Sequence, residues 1–412
     1  MSHSLGERTL EHLERACPAG ARLGTGADAL DGSAPHFVAY PTSTAEVAAA
    51  MRVAASHGLA VVARGAGTKQ DWGAPPERVD LVLDLAQMAG VTEHVSGDLV
   101  ASVKAGTTLA ALSEVLAGAA QWLPVDEVVP GSTIGGVVAT GLSGPLRYGY
   151  GAVRDLPLGL TLVRADGAVV RAGSKVVKNV AGYDLAKLFT GSYGTLGVMT
   201  ELTFKLAPVP PCRLFVTASY QGPAEAAPAI SALVRSQAAP AAIELDRALP
   251  EAPLEVSVLV EGRPRPAEQR AAQVAALMGG AEVSPLAPPW WASLPGPATF
   301  KLTAALSRVP ALVDAASKAS ADLQARLWGS AGAGVLYLGL PAGPAELAAL
   351  LPKLREAAAQ AQGYATLLRA PRASKAGLDI WGPVPGIELM RRVKERFDPT
   401  RSLAPGRFVG GI

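Results

Sequence analysis

Three glycine-rich stretches stand in order along the chain: Arg64-Gly65-Ala66-Gly67-Thr68-Lys69, Gly131-Ser132-Thr133-Ile134-Gly135-Gly136 and Gly191-Ser192-Tyr193-Gly194-Thr195-Leu196-Gly197. Backbone without side chains can approach a pyrophosphate closely and aim successive N–H groups at its oxygens, which a β-carbon would obstruct. Together the stretches point to a large phosphorylated cofactor, while each alone also fits an ordinary turn. The first follows the apolar run Leu59-Ala60-Val61-Val62-Ala63, which reads as a buried strand. Before it, Ser43 and Glu46 stand in capping-box spacing and mark the start of a helix. A strand ending in a glycine loop is the geometry an anion needs. Arg64 and Lys69 add positive charge there, although both residue types are equally at home on a solvated surface.

The second stretch comes after Trp122-Leu123-Pro124-Val125-Asp126 and continues through Val137-Val138-Ala139-Thr140-Gly141 to Ser143-Gly144. Small residues at nearly every position suit close approach to a flat, extended ligand, and equally a tightly packed backbone crossing. The third follows Lys178-Asn179-Val180-Ala181-Gly182-Tyr183-Asp184 and leads into a strand-like run over residues 198–206. No Gly-x-Gly-x-x-Gly follows the first strand, so a Rossmann site fails on spacing. Residue types alone do not separate FAD from another dinucleotide.

The run over residues 179–206 closely resembles the end of the FAD-binding domain in the FAD-linked oxidases of the vanillyl-alcohol oxidase and p-cresol methylhydroxylase (PCMH) superfamily. The likeness spans about residues 37–208, holds all three stretches in the family's order, and includes Arg147-Tyr148-Gly149 through Val153-Arg154-Asp155. Within the superfamily, the segment around residues 178–184 and the C-terminal features are most similar to the FAD-binding E subunits of bacterial glycolate oxidases. The resemblance implies that Arg64, Gly65, Ala66, Gly67, Thr68 and Lys69 hold the FAD pyrophosphate together with Ser132, Thr133 and Gly135, with Gly131 also at the cofactor. It places Gly136, Ala139, Gly144 and Asp155 along the flavin and ribityl side, and Gly194, Gly197 and Val198 against the adenosine half. Members that attach flavin covalently usually have histidine in the first loop, where this chain has Gly67-Thr68-Lys69, so noncovalent FAD is expected.

Composition bounds the remainder. A chain of 412 residues with 49% hydrophobic content can bury sizeable cores in two or three domains. Its 37 basic and 35 acidic residues leave a net charge of +2, which gives no reason to invoke nucleic acid or an anionic membrane. The first residues lack the apolar core of a signal peptide and no stretch approaches a membrane span, so a cytoplasmic protein is expected, with membrane association only through partners.

Pro208-Val209-Pro210-Pro211 reads as a domain boundary. Beyond it, strand signals over 213–220, 254–260, 299–305, 335–340 and 365–370 alternate with helix signals near 224–236, 267–278, 311–323 and 346–360. That alternation predicts an α+β domain, an antiparallel sheet with helices on one face, built from two ferredoxin-like units. The cap domains of FAD-linked oxidases are similar. The predicted fold class is therefore α+β: an N-terminal segment (1–36), a PCMH-type FAD-binding domain (37–208), an α+β cap (212–372) and a C-terminal helix and turn (373–412) returning to the FAD domain. That last turn, Pro405-Gly406-Arg407, resembles the family's, except that Ala404 stands where asparagine is usual.

All five histidines, His3, His12, His36, His57 and His94, lie in the first hundred residues. Flavoprotein 2-hydroxy-acid dehydrogenases of this superfamily commonly carry a histidine-rich acidic motif in the cap, where a metal and a base act on the hydroxy acid. A base is needed because hydride leaves carbon only as the alcohol oxygen loses its proton. Here His57 reads as a helix end before Gly58, His94 as part of a Ser/Gly/Asp loop, and no metal site is expected. Tyr183, Lys178 and Arg369 are the remaining polar nominees for a base, each also at home in a structural role. Cys17 and Cys212 are isolated and cannot ligate an iron–sulfur cluster, so they read as free thiols. The resemblance implies a glycolate oxidase complex oxidising glycolate, a small 2-hydroxy acid, to glyoxylate. Its larger FAD-linked subunit would carry the substrate site and an iron–sulfur subunit would take the electrons. A free-standing FAD oxidase or dehydrogenase and an assembly subunit with a vestigial flavin site remain as alternatives.

Overall fold

The computed structural model describes residues 2–174, 183–341 and 343–412, with side chains from residue 6 onward. Lys178, Asn179, Val180, Ala181 and Gly182 lie outside the described residues. The chain forms two compact units, one of residues 1–142, 153–208 and 383–412, the other of residues 143–152 and 209–382.

The first unit opens with α1 (Ser2–Ala16), β1 (Ala21–Leu23), β2 (Phe37–Ala39), α2 (Thr44–His57), β3 (Val61–Arg64) and β4 (Leu81–Asp84). Its first sheet has the order β1-β2-β4-β3, with β2 and β3 both parallel to β4. The start of α2 is chemically fixed: the Ser43 side chain accepts from the Glu46 N–H, and the Glu46 carboxylate accepts from the Thr42 N–H at 2.8 Å. Gly58 closes it in the left-handed conformation, φ 62°. Val47, Ala50, Met51 and Ala54 of α2 bury against Val61, Leu81 and Leu83 of the sheet, so α2 and the strands set the height at which the loop after β3 emerges.

The second layer of this unit comprises β5 (Val91–Val95), β6 (Val100–Lys104), α3 (Leu109–Ala117), β7 (Gln121–Trp122) and α4 (Ile134–Thr140). After α5 (Arg147–Tyr150), which is in the other unit, come β8 (Pro157–Val163), β9 (Val169–Gly173), α6 (Leu185–Phe189), β10 (Val198–Lys205) and β11 (Ala207–Pro208). An antiparallel sheet of order β5-β6-β10-β8-β9 packs Val103, Leu160, Leu162 and Leu202 against Ile134, Val137 and Val138 of α4. His94 sits on β5, paired with β6 and 2.9 Å from Gln121 Oε1, instead of in the expected loop. The turn signal Ser96-Gly97-Asp98 belongs just beyond it, because ladder pairing extends the strand to Val95.

The second unit runs β12 (Cys212–Tyr220), α7 (Pro223–Arg235), β13 (Ala242–Arg247), β14 (Leu254–Gly262), α8 (Pro264–Leu277), β15 (Glu282–Ser284), β16 (Ala298–Thr303), α9 (Val309–Ala319), β17 (Arg326–Ser330), β18 (Val335–Leu340), α10 (Pro344–Gln360), β19 (Ala365–Arg369) and α11 (Arg372–Lys375). Its eight strands form one antiparallel sheet of order β15-β12-β14-β13-β17-β18-β16-β19. Each half is a βαββαβ unit, and the two join edge to edge through β13 and β17. Helix α12 (Ile387–Phe397) returns to the first unit, where Phe397 meets Phe189 edge-on at 5.2 Å. Among the described residues no helix is long and apolar enough to cross a membrane.

Candidate cofactor-binding site

The three glycine stretches converge in the first unit. Strand β3 delivers Arg64 to the mouth of a cleft walled by Gly65, Ala66, Gly67, Thr68 and Lys69, by Thr133, Gly135, Gly136 and Ala139, and by Gly194 and Gly197. The space measures about 730 Å³ with its open mouth, within the range of cofactor sites. A β-carbon on Gly65 would lie 2.3 Å from Thr133 Oγ1, so the first two stretches touch through a glycine that admits no side chain. Thr133 itself caps α4, its hydroxyl accepting from the Gly136 N–H at 3.3 Å.

The two cations named for the first loop differ in their surroundings. Arg64 is ion-paired with Asp84 at 2.7 Å, which ties its charge to the strand edge. Lys69 is 6% exposed, and its Nζ donates to Ser132 Oγ at 2.5 Å and Thr68 Oγ1 at 3.1 Å. Among the described residues no carboxylate oxygen lies within 4.0 Å of it. Burial pushes the Lys69 amine down to about 8, against a smaller opposing pull from Glu127.

Not every expected residue reaches the cleft wall. Ser132 lies beneath it, buried between Lys69 and the Val129 carbonyl at 2.6 Å. The Gly131 N–H donates to Glu127 Oε1 at 2.9 Å, Val198 is buried in the core at the start of β10, and Asp155 is exposed in a turn. Gly144 belongs to the second unit.

The cleft also gathers residues that sequence reasoning did not assign to it: Gln70, Leu85, Ala105, Thr140, Tyr193, Met199 and Arg407. Arg407 is 4% exposed and comes from the C-terminal turn. Its guanidinium donates to Gln70 Oε1 at 2.9 Å and to the carbonyl oxygens of Gln70 at 2.7 Å and Lys69 at 3.3 Å, leaving Nε buried without a partner. Tyr193, at φ 56°, stacks on Phe408 at 5.5 Å. The signal for this second source of residues was the turn Pro405-Gly406-Arg407, but a single arginine in a turn does not announce burial.

None of the histidines with described side chains lines the cleft; His57, the last residue of α2, contacts His12 and Thr9, and His36 faces Asp80. Tyr183 is 94% exposed, and Arg369 is bonded to Thr299 Oγ1 at 3.2 Å and to the Gly296 carbonyl. Cys17 and Cys212 are free; burial, with Glu46 nearby, pushes the Cys17 thiol up to about 12, which leaves it unreactive.

Residues 35–173 match the family described as FAD binding domain. A solved structure of p-cresol methylhydroxylase with substrate bound superposes with a TM-score of 0.72, covering 97% of this chain and 96% of that one. The fold is of the PCMH type. At 15% identity that likeness speaks for fold alone. Among curated proteins, glycolate oxidase subunit GlcD of Bacillus subtilis (strain 168) is 35% identical over 213 residues, covering 52% of this chain and 45% of the relative. Glycolate oxidase subunit GlcE of Escherichia coli (strain K12) is 40% identical over 152 residues, 36% of this chain and 43% of the relative. The chain thus spans less than half the length of these relatives.

Proposed function

We propose that this chain binds FAD without a covalent link and serves as the FAD-binding subunit of a complex that oxidises a 2-hydroxy acid, glycolate, to the 2-oxo acid. The observation that carries the reading is the glycine-walled cleft with two buried cations, within and beside the segment that matches the FAD binding domain. Its residues fit the group. Lys69, with no carboxylate oxygen within 4.0 Å among the described residues, and Arg407, whose buried Nε has no partner among them, are positions that a pyrophosphate would satisfy, and Gly65 leaves the backbone open to it. Bound FAD would supply the hydride acceptor. The chain's own part is to hold the pyrophosphate with the residue 65–68 backbone, Lys69 and Arg407, and to offer flat walls at Ala139, Gly194 and Met199.

The names of the relatives GlcD and GlcE support a multi-subunit assembly. In this reading a larger FAD-linked subunit and an iron–sulfur subunit complete the enzyme, which is cytoplasmic and reaches a membrane only through partners. Purified protein should release intact FAD on acid treatment, and sustained glycolate oxidation should require both partner chains. Flavin fluorescence that stays with the denatured polypeptide would refute noncovalent binding. Well-folded protein without flavin would favour an assembly role, and equal turnover by the isolated chain would remove the need for partners.

Lys69 gives the reading a pH signature. Its pKa is depressed in the fold from an ordinary 10.5 to about 8, so the empty protein sheds this proton from about pH 8 upward. The unfolded chain keeps the proton longer, so the empty fold gains stability from this group as pH rises from about 8 toward 10.5. Pyrophosphate favours the ammonium form, so FAD affinity should weaken above pH 8, approaching about tenfold per pH unit until the complex itself titrates. Fluorescence titration of apoprotein with FAD between about pH 7 and 9.5 measures this. Lys69→Met should flatten the profile, and a flat profile in the unaltered protein would sink the assignment.

A further inference from the structure

The first cation of the glycine loop is held by more than the strand it ends. Arg64 lines the cleft, and its guanidinium meets two carboxylates: Nη2 lies 2.7 Å from Asp84 Oδ2, with Nε at 3.0 Å from the same oxygen, and 3.6 Å from Asp28 Oδ1. Asp84 is the register partner of Arg64 across β3 and β4, so the neighbouring strand supplies it. Asp28 comes from elsewhere. It ends a short 3-10 turn over Gly26–Asp28, ahead of the segment 35–173 that matches the FAD binding domain.

Asp28 is 4% exposed and firmly held. Arg22 of β1 grips its two oxygens at 2.7 Å each as a planar fork, and Thr25 donates to Oδ2 through its N–H and its hydroxyl, each at 2.9 Å. Arg22 Nε donates to the Tyr40 hydroxyl at 2.9 Å, which fixes the fork itself. The Arg22 hydrogen bonds, with those of Thr25, hold the Asp28 carboxyl well below the usual carboxylate range against the opposing effect of burial, so it is ionised across the neutral range. Just beyond the turn, Leu30 is 2% exposed and joins a core cluster with Val62 of β3 and Ala404 of the C-terminal turn.

Arg22, Asp28, Arg64 and Asp84 thus alternate in sign, two positive and two negative. Arg22 cancels the charge that Asp28 would bring to the mouth of an anion site, so Asp28 can steady Arg64 without repelling a pyrophosphate. The Arg64 stem passes close to Gly67, with Cδ 3.8 Å from where a β-carbon would stand, so fixing the guanidinium also fixes the side chain beside which the loop turns. An arginine held by one carboxylate can swing about it, whereas carboxylates on two separate elements leave it one setting. Order set before the ligand arrives lowers the cost of binding.

We propose that Asp28, presented by Arg22, is a positioning residue of the cofactor site, holding Arg64 in the setting that leaves the residue 65–68 backbone open to the pyrophosphate. The role rests on the reading of the cleft as an FAD site, and it extends that site into a segment outside the matched domain.

Fluorescence titration of the full chain, as apoprotein, with FAD at pH 7 tests the role, because position and charge pull in opposite directions. Asp28→Asn removes a negative charge near the cleft and by charge alone would tighten FAD, whereas loss of position should weaken it about tenfold. Removing the fork as a unit, Arg22→Met with Asp28→Leu, leaves the net charge unchanged and strands no buried ion. That double variant should fold even where Asp28→Asn does not, and it should also weaken FAD about tenfold. In an Arg64→Met background, Asp28→Asn should add less than about twofold, since the group it positions is gone. Equal or tighter FAD binding in both Asp28 variants, or an undiminished loss in the Arg64→Met background, would overturn the proposal while FAD binding by the chain stands. An unaltered chain that binds no FAD overturns both the role and the functional reading. Weaker FAD binding in the variants, with a complex that oxidises no 2-hydroxy acid, leaves the role standing and removes the substrate part of that reading.

Discussion

Asp398→Ala should destabilise the first unit by about 3–5 kcal/mol, the range found when one partner of a buried ion pair is removed. Asp398 is fully buried and Lys394 is 2% exposed, with Nζ 2.7 Å from Asp398 Oδ2. The same Nζ donates to the carbonyls of Thr195 at 2.7 Å and Leu403 at 2.9 Å, so one ammonium ties α12 to the third glycine stretch and to the last turn. The carboxylate accepts in addition from the Leu403 N–H at 2.7 Å and from the Ser402 N–H at 3.0 Å. Burial alone would raise the Asp398 pKa, but Lys394 and these N–H donors outweigh it and hold the carboxylate below its usual range. The sign follows: this stabilisation is complete above the ordinary carboxylate pKa and is lost as pH falls through the lowered folded value. Alanine strands a buried charge and several donors at once, whereas Lys394→Met with Asp398→Leu removes both charges and should recover much of the loss. Denaturant unfolding of the three proteins at pH 7 checks this. A loss below about 1 kcal/mol in the single variant would show the pair to be a surface-like contact.

Local chemistry made the scaffold of the cleft readable. The Ser43 and Glu46 cap, the apolar run before residue 64 and glycine in the left-handed conformation at Gly58 are encoded within a few neighbouring residues, and each forms as its local sequence dictates. In the second unit, strands rich in valine and leucine were visible, while β13, β15 and β17 were not. Strands β13 and β17 carry Glu244, Asp246, Arg326 and Gly329, charges and a glycine that hide a strand from any search for apolar runs. They are strands because they join the two halves of the sheet, where Glu244, Asp246 and Arg326 share the face opposite Leu245 and Leu327. Strand β15 is a three-residue edge with exposed side chains, too short for any periodicity.

The site was legible where it is made of backbone and obscure where it depends on distant side chains. Arg407 meets Gln70 and Lys69 across more than three hundred residues of sequence, a contact no local pattern encodes. Arg64 and Ser132 have residue types that suit a phosphate; in the fold Arg64 lines the cleft and pairs with Asp84, and Ser132 lies beneath it, bonded to Lys69 and the Val129 carbonyl, partners no local pattern encodes. Ala404, where the resembling oxidases usually have asparagine, has φ 42°, and its N–H donates to the Val61 carbonyl at 2.9 Å. Left-handed backbone is a conformation asparagine adopts more readily than alanine, so part of that family preference has a conformational reason.

Gly65→Val should reduce FAD affinity by about a hundredfold or more, which in purified protein reads as an empty cofactor site. Any β-carbon there would lie 2.3 Å from Thr133 Oγ1 and 3.1 Å from its Cγ2, and a branched side chain adds more atoms to the same collision. Thr133 can yield only by giving up the cap on α4, a loss of roughly 1 kcal/mol, or the loop must move into the space the pyrophosphate requires. Gly67→Val should also weaken FAD binding, by about fivefold to thirtyfold and by another route. No atom but Arg64 Cδ, at 3.8 Å, lies within 4 Å of its added β-carbon, so space is not the obstacle. The obstacle is φ +75°, a left-handed conformation that a β-branched residue enters only with strain of about 1–2 kcal/mol. Gly67→Asn, which tolerates that conformation, should keep far more FAD than Gly67→Val, while no such rescue should exist at Gly65. The ratio of flavin to protein absorbance reports occupancy, and circular dichroism reports whether the sheets remain folded. Stoichiometric FAD in both valine variants would mean that the first glycine stretch is a turn and that the cofactor is held elsewhere.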